Sequence, residues 1–201
     1  MVTSTPNIQI ISITSHLKLA LLDLQEFAAF AGSTSKRDTE KQGALYIVRK
    51  ILGNEAASIL YTEHGRPHLS DSSVCISISH AHDKLALLFS HNGVDVGIDI
   101  EKVRDKVLKI KERFLSATEL ARLESSTIEV YTLYWAIKEA VYKAAHIAGL
   151  IFSEQILVDP FTYSENGGEI IARVKRAETE KQFVLHYKKI EDYVLVYTNN
   201  A

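Results

Sequence analysis

The sequence at residues 91–101 reads His-Asn-Gly-Val-Asp-Val-Gly-Ile-Asp-Ile-Glu, and it predicts a turn followed by a strand. Asn92 and Gly93 are typical of a tight turn. From Val94 to Glu101 apolar and polar residues alternate strictly, which is the pattern of a strand with one face in the core. We therefore expect the chain to divide at this turn into two halves, residues 1–91 and 92–201.

Helical and strand patterns continue on both sides of this segment. Before it we predict helices at residues 17–30 and 36–52, and strands at residues 8–13, 59–62, 74–79 and 85–90. After it we predict a basic helical segment, a short helix following Ser116, a long helix over residues 128–146, and strands at residues 156–158, 169–176, 182–189 and 193–198. The predicted class is α+β: two similar halves, each with helices packed on a small antiparallel sheet, forming an intramolecular pseudo-dimer.

The composition is that of a soluble globular protein. The chain has 201 residues, 46% of them hydrophobic and 24% charged, with a net charge of −2. No apolar run approaches the ~20 residues that a membrane span requires, and no basic residue precedes the first apolar stretch as it would in a signal peptide. We expect a cytoplasmic protein that binds neither nucleic acid nor membrane.

Asp99 and Glu101 lie two residues apart in the predicted strand, so their side chains point to the same face. That spacing lets them share one hard cation, and Gly97 is expected to leave room on this face for a bulky anion. Two carboxylates together with the oxygens of a substrate diphosphate are a usual environment for magnesium. The alternative is an amphipathic edge strand whose acidic residues face water.

The predicted long helix carries a second polar group. Trp135, Glu139 and Lys143 follow one another at i, i+4 spacing on one stripe, and Lys138 lies beside it. Glu139 could add a third carboxylate to a metal site, and the two lysines could neutralise phosphate oxygens. The alternative is a solvated Glu–Lys pair, although the tryptophan favours a partly buried face.

Two further segments allow more than one interpretation. Ser79 and His80 end a predicted strand, where they could bind a phosphate or be satisfied by the backbone. Residues 102–113 contain six basic residues against Asp105 and Glu112, a local net charge of +4. This stretch is either a solvated helix face or a docking surface for an acidic partner.

In this order the segments resemble the 4'-phosphopantetheinyl transferase superfamily, in particular its longer, surfactin-synthetase-activating type. The two signature segments stand here as Gly97-Ile98-Asp99-Ile100-Glu101 and Trp135-Ala136-Ile137-Lys138-Glu139-Ala140-Val141-Tyr142-Lys143. Three shorter matches accompany them: Gly65-Arg66-Pro67-His68, Ile78-Ser79-His80 and Arg113-Phe114-Leu115-Ser116-Ala117-Thr118-Glu119. The likeness covers residues 36–153.

The resemblance implies an enzyme of the holo-[acyl-carrier-protein] synthase type. It would transfer the 4'-phosphopantetheine arm of coenzyme A to a serine of an apo acyl or peptidyl carrier protein and release adenosine 3',5'-bisphosphate. The implied metal is Mg²⁺, with Mn²⁺ as the alternative, and its ligands would be Asp99, Glu101 and Glu139.

The resemblance also implies roles for other residues. In the second half, Glu139 would help to deprotonate the acceptor serine, and Lys143 and Lys138 would stabilise the leaving group. In the first half, the contacts to the phosphates of coenzyme A would come from Ser79, His80, Arg66, Lys36, Arg37 and Lys41. An acidic carrier protein would dock on residues 102–113, and a monomer is expected because two fused halves could complete a site within one chain.

Glu119 has two interpretations. Ser116-x-x-Glu119 is a capping box, which is a sufficient structural reason for both residues, and the resemblance adds a catalytic or substrate-contacting role. The whole chain likewise has two alternatives: a magnesium-dependent nucleotide diphosphate hydrolase, or a non-catalytic binder of coenzyme A or of a carrier protein.

Overall fold

Each half of the sequence builds an antiparallel sheet with helices packed against it. The computed structural model describes residues 5–33, 35–71 and 73–199. They divide into two units, the first ending at Asp95 and the second beginning at Val96. The predicted α+β class with antiparallel sheets is confirmed, and the pseudo-dimeric relation of the halves stays a prediction.

The first unit has a four-stranded sheet in the order β1-β2-β6-β5. Its strands are β1 (Ile8–Ser12), β2 (Leu17–Asp23), β5 (Cys75–Ala81) and β6 (Lys84–Ser90), and a small hairpin joins β3 (Leu60–Tyr61) to β4 (Pro67–His68). Two helices, α1 (Leu24–Ala31) and α2 (Lys36–Leu52), contribute to its core. Both ends of α2 are as predicted, with Ser35 as the N-cap and Gly53 as the left-handed C-cap.

The prediction of one helix over residues 17–30 was wrong for its first half. Residues 17–23 form β2, which pairs on one side with β1 and on the other with β6. Leu and Ala favour helices in isolation, but here burial between two strands overrides that propensity. The helix begins only after Asp23, whose carboxylate accepts hydrogen bonds from the backbone N–H groups of Gln25 and Glu26.

The second unit has a five-stranded sheet in the order β7-β11-β10-β9-β8. Its strands are β7 (Ile98–Lys102), β8 (Ile156–Val158), β9 (Gly168–Arg176), β10 (Thr179–Ile190) and β11 (Tyr193–Thr198). The long helix α5 (Ile128–Ala145) packs on this sheet and buries Ala136, Ile137, Ala140, Val141 and Ala144 in the core. Shorter helices are α3 (Lys111–Phe114), α4 (Ala117–Arg122) and α6 (Phe152–Gln155).

Two predictions in this unit need correction. The strand expected from residue 94 begins only at Ile98, whereas the basic segment is helical as predicted, with a 3-10 helix (Asp105–Lys109) followed by α3. The space expected beside Gly97 is also filled, because a Cβ atom at this position would lie 1.9 Å from the carbonyl oxygen of Ala140. Gly97 therefore lets the backbone before β7 lie directly against α5.

No helix within the described ranges is long and apolar enough to cross a membrane.

Candidate active site

The pairing of β7 with the face of α5 brings acidic and basic side chains together. Asp99 is almost fully buried, at 3% exposure. Lys143 reaches across from α5, and its Nζ donates to Asp99 Oδ1 at 2.8 Å and to the carbonyl oxygen of Ile98 at 2.9 Å. The predicted strand and the predicted helical stripe thus meet through a direct ion pair.

Glu101 is held by the tryptophan at the head of the same stripe. Trp135 Nε1 donates to Glu101 Oε1 at 2.9 Å, and the indole packs against the rings of Phe114 and Phe152. Burial raises the pKa of Glu101 to about 7, with the negative charge of Asp99 adding to the effect. The hydrogen bond from Trp135 only partly opposes this shift.

Glu139 belongs to the same electrostatic group. Burial raises its pKa to about 7 as well, and the charges of Asp99 and Glu101 contribute in the same direction, while Lys143 lowers it. We call Asp99, Glu101 and Glu139 the acid cluster. Two cations oppose the three carboxyl groups, namely Lys143 and, at Glu101, Arg104. The cluster is therefore left with excess negative charge when all three carboxyl groups are ionised.

The acid cluster suits a divalent cation in chemistry and in charge. Its ligands are oxygen atoms, which Mg²⁺ prefers, and its raised pKa values show that positive charge would stabilise it. Within the described residues, however, no group of three or more His, Cys, Asp or Glu side chains is already arranged to hold a metal ion. Lys143 is bound to one oxygen of Asp99. The metal role of these residues therefore stays a prediction.

Lys138 and Glu119 lie in a different environment, inside the core of the second unit. The Lys138 side chain is fully buried, and its Nζ donates to Glu119 Oε2 at 2.7 Å and to the carbonyl oxygens of Phe152 at 3.0 Å and Ile156 at 2.6 Å. The capping box of Ser116 and Glu119 is present. This geometry favours structural roles for both residues, since the ammonium group has no donor left for a phosphate.

The phosphate contacts predicted in the first unit are spread over several elements. His80 Nδ1 lies 3.1 Å from Glu40 Oε1, and Lys36 Nζ lies 3.8 Å from the same oxygen. Arg66 forms an ion pair with Asp95 at 2.8 Å. Ser79 is buried in β5, whereas Arg37 and Lys41 are exposed on α2.

Sequence reasoning missed Glu40, which lies against Lys36 and His80, and Asp95, which pairs with Arg66. The i, i+4 spacing of Lys36 and Glu40 on a predicted helix was the available signal for the first. No local pattern indicated the pairing of Asp95 with Arg66, which is 29 residues away along the chain.

The basic segment presents four exposed cations: Arg104, Lys106, Lys109 and Arg113. Its other two basic residues are engaged locally, since Lys102 forms an ion pair with Asp192 and Lys111 lies over the ring of Tyr131. Leu108 adds an exposed apolar side chain between the cations. The segment therefore offers a mixed basic and apolar surface to solvent.

Comparison with known proteins agrees with the family indicated by the sequence. A model of the 4'-phosphopantetheinyl transferase superfamily matches residues 95–198, slightly more than half of the 201 residues, and the match includes the whole acid cluster. The chain therefore belongs to the 4'-phosphopantetheinyl transferase superfamily, whose members use coenzyme A as substrate, generally with Mg²⁺.

One similar relative is the 4'-phosphopantetheinyl transferase gsp of Aneurinibacillus migulanus. The two are 30% identical over an alignment of 104 residues, and the alignment covers 49% of this chain and 43% of the relative. The matched region thus spans less than half the length of that relative.

Proposed function

We propose that this protein transfers the 4'-phosphopantetheine arm of coenzyme A to a serine of an apo acyl or peptidyl carrier protein. The observation that carries the proposal is the acid cluster with Lys143, formed by two segments that both lie within the range matched by the family model. Phosphoryl-type transfer requires mainly positioning and charge neutralisation, and a divalent cation held by the acid cluster together with Lys143 would supply the neutralisation.

In the proposed reaction the serine Oγ attacks the phosphorus that bears the pantetheine arm. The bond from that phosphorus to the bridging oxygen of the diphosphate breaks, and adenosine 3',5'-bisphosphate leaves with the electron pair. A divalent cation held by Asp99, Glu101 and Glu139 would neutralise the diphosphate.

The chain's own residues would share the remaining tasks. Glu139 lies beside Asp99 and Glu101 electrostatically, and its carboxylate would accept the serine proton. Lys143 places an ammonium group beside Asp99, where it would stabilise charge on the leaving group. Trp135 holds the Glu101 carboxylate by a hydrogen bond.

Binding of coenzyme A and of the carrier protein would use other surfaces. We propose that the phosphates are contacted by residues of the first unit: Ser79, His80, Arg66, Lys36, Arg37 and Lys41. The four exposed cations of residues 102–113 support docking of an acidic carrier protein on that segment.

Mass spectrometry of an apo carrier protein tests the proposal directly. After incubation with the protein, coenzyme A and Mg²⁺, the carrier protein should gain the mass of one phosphopantetheine arm, and Glu139→Gln should prevent the gain. Release of adenosine 3',5'-bisphosphate without any acceptor would instead identify a hydrolase. Binding of coenzyme A with no change in the carrier protein would identify a non-catalytic binder.

A further inference from the structure

We propose that the buried Glu119–Lys138 pair is a positioning device that fixes α5 so that Glu139 faces Asp99 and Glu101. The effect that we predict on kcat rests on the proposed function. It assigns neither residue a contact with substrate.

The Glu119 carboxylate connects three separate elements. Its Oε2 accepts from the backbone N–H of Ser116 at 2.8 Å and from Lys138 at 2.7 Å, and its Oε1 accepts from the backbone N–H of Val158 at 2.9 Å. These partners belong to the N-cap of α4, to α5 and to β8. The whole residue is only 2% exposed.

Lys138 completes the connection from the helix. All three of its N–H donors are taken by Glu119, Phe152 and Ile156, which ties α5 to α6 and to the start of β8. Phe152 in turn packs against the rings of Trp135 and Tyr142 on α5. The pair therefore sets both the rotation and the axial position of α5.

Stability alone gives little reason for such a pair. Removing two charges from water is unfavourable, and a protein with well-packed apolar residues of similar volume in the same place is often at least as stable. What apolar residues lack is directional bonds. Successive residues of a helix point about 100° apart, so fixing Lys138 in the core fixes the direction in which Glu139 projects toward Asp99 and Glu101.

The test uses Lys138→Met, the double variant Glu119→Gln/Lys138→Met, and Lys175→Met as a matched control on an exposed strand position. The single variant should unfold at lower urea concentration, since it leaves the Glu119 carboxylate buried without its cation. The double variant removes that charge and should recover part of the lost stability, because the introduced amide oxygen can still accept from one of the two backbone N–H groups. The double variant therefore separates the effect on the position of α5 from the effect on stability.

Two readouts follow the position of α5 without relying on activity. Trp135 is the only tryptophan of the chain and lies one turn before Lys138, so its fluorescence emission reports on this junction. In the double variant the emission should shift to longer wavelength. The affinity for Mn²⁺, measured by the paramagnetic resonance of the free ion, should fall about tenfold. The kcat for phosphopantetheine transfer should fall by about the same factor. The Lys175→Met control should match the wild type in all three.

Each other outcome has a definite meaning. A folded double variant with wild-type emission, Mn²⁺ affinity and kcat would overturn the inference. Loss of kcat with the other two readouts unchanged would show direct catalysis and would also overturn it. A double variant that does not fold would show that the pair serves stability itself, against the inference. If the wild type binds Mn²⁺ but transfers nothing, the proposed function fails, and weaker Mn²⁺ binding in the double variant still supports positioning.

Discussion

At the scale of single residues, Glu101 and Glu139 link the acid cluster to pH. Both have a pKa of about 7 in the folded chain, against an ordinary value of 4.5. Between these values the folded state binds more protons than the unfolded state, so the free energy of unfolding should fall as the pH rises from 4.5 to about 7. Urea unfolding in metal-free buffers across this window measures the decline, and Glu139→Gln should reduce its slope.

Glu124→Gln is the matched control, because it makes the same substitution at an exposed glutamate of the same unit. Its slope should equal that of the wild type. Added Mg²⁺ should restore stability above pH 7 in the wild type more than in Glu139→Gln, since the cation would relieve repulsion among the carboxylates. A stability that rises steadily through this window would contradict the assignment.

Lys143 is the second residue with a distinct prediction. Lys143→Gln removes the ammonium group from Asp99. Under the proposed function the leaving group loses this charge as well, so kcat for transfer should fall on the order of a hundredfold. Lys143 lowers the pKa of both Glu101 and Glu139, so both pKa values should rise further in this variant. In metal-free buffer, the decline in the free energy of unfolding should therefore continue to higher pH than in the wild type. Steady-state transfer and urea unfolding measure the two effects. An unchanged kcat would rule out the charge-stabilising role.

At the scale of elements, the close approach of α5 to the start of β7 depends on Gly97. In Gly97→Ala the new methyl group would meet the carbonyl oxygen of Ala140 at 1.9 Å, and a helix backbone cannot move aside as a side chain can. We expect a loss of about 1–3 kcal/mol in the free energy of unfolding, the usual range for an overpacked core. The transfer rate should fall further than stability explains, because α5 carries Glu139 and Lys143.

Gly43→Ala is the control for this substitution. The added methyl group on α2 would meet the flexible side chain of Leu22 at 3.2 Å, and alanine favours a helix over glycine by about 1 kcal/mol. The free energy of unfolding of this variant, measured in urea, should equal or exceed that of the wild type. If Gly97→Ala behaved in the same way, the direct packing of β7 on α5 would be refuted.

The elements also show what the sequence could predict. Local signals were sufficient where they agreed with the tertiary structure. Ser35 and Gly53 mark the two ends of α2, and the i, i+4 stripe of α5 faces β7. They failed at residues 17–23, where pairing with two other strands overrides a helix-forming composition. The burial of Lys138 was equally hidden, because its three acceptors lie 14 to 19 residues away along the chain.

At the scale of the whole molecule, the small net charge conceals a local concentration of positive charge. The chain as a whole carries a net charge of −2, yet residues 102–113 carry +4. This segment begins immediately after Glu101 in the sequence, so a partner bound to it would lie near the second-unit strand that contributes to the acid cluster. An acidic carrier protein would be attracted to this surface from solution, which accelerates encounter more than it strengthens the final complex.

The double variant Lys106→Glu/Lys109→Glu should therefore raise KM for the apo carrier protein on the order of tenfold at low salt. Its kcat and its KM for coenzyme A should stay unchanged, since neither exposed lysine lies in the acid cluster. Lys175→Glu/Arg176→Glu makes the same charge change at exposed positions of β9 and should leave all three constants at their wild-type values. Near 1 M salt, where the screening length shrinks to about 3 Å, the docking variant and the wild type should converge. An equal effect of both double variants would attribute the change to net charge, and an effect that persists in high salt would attribute it to misfolding rather than to docking.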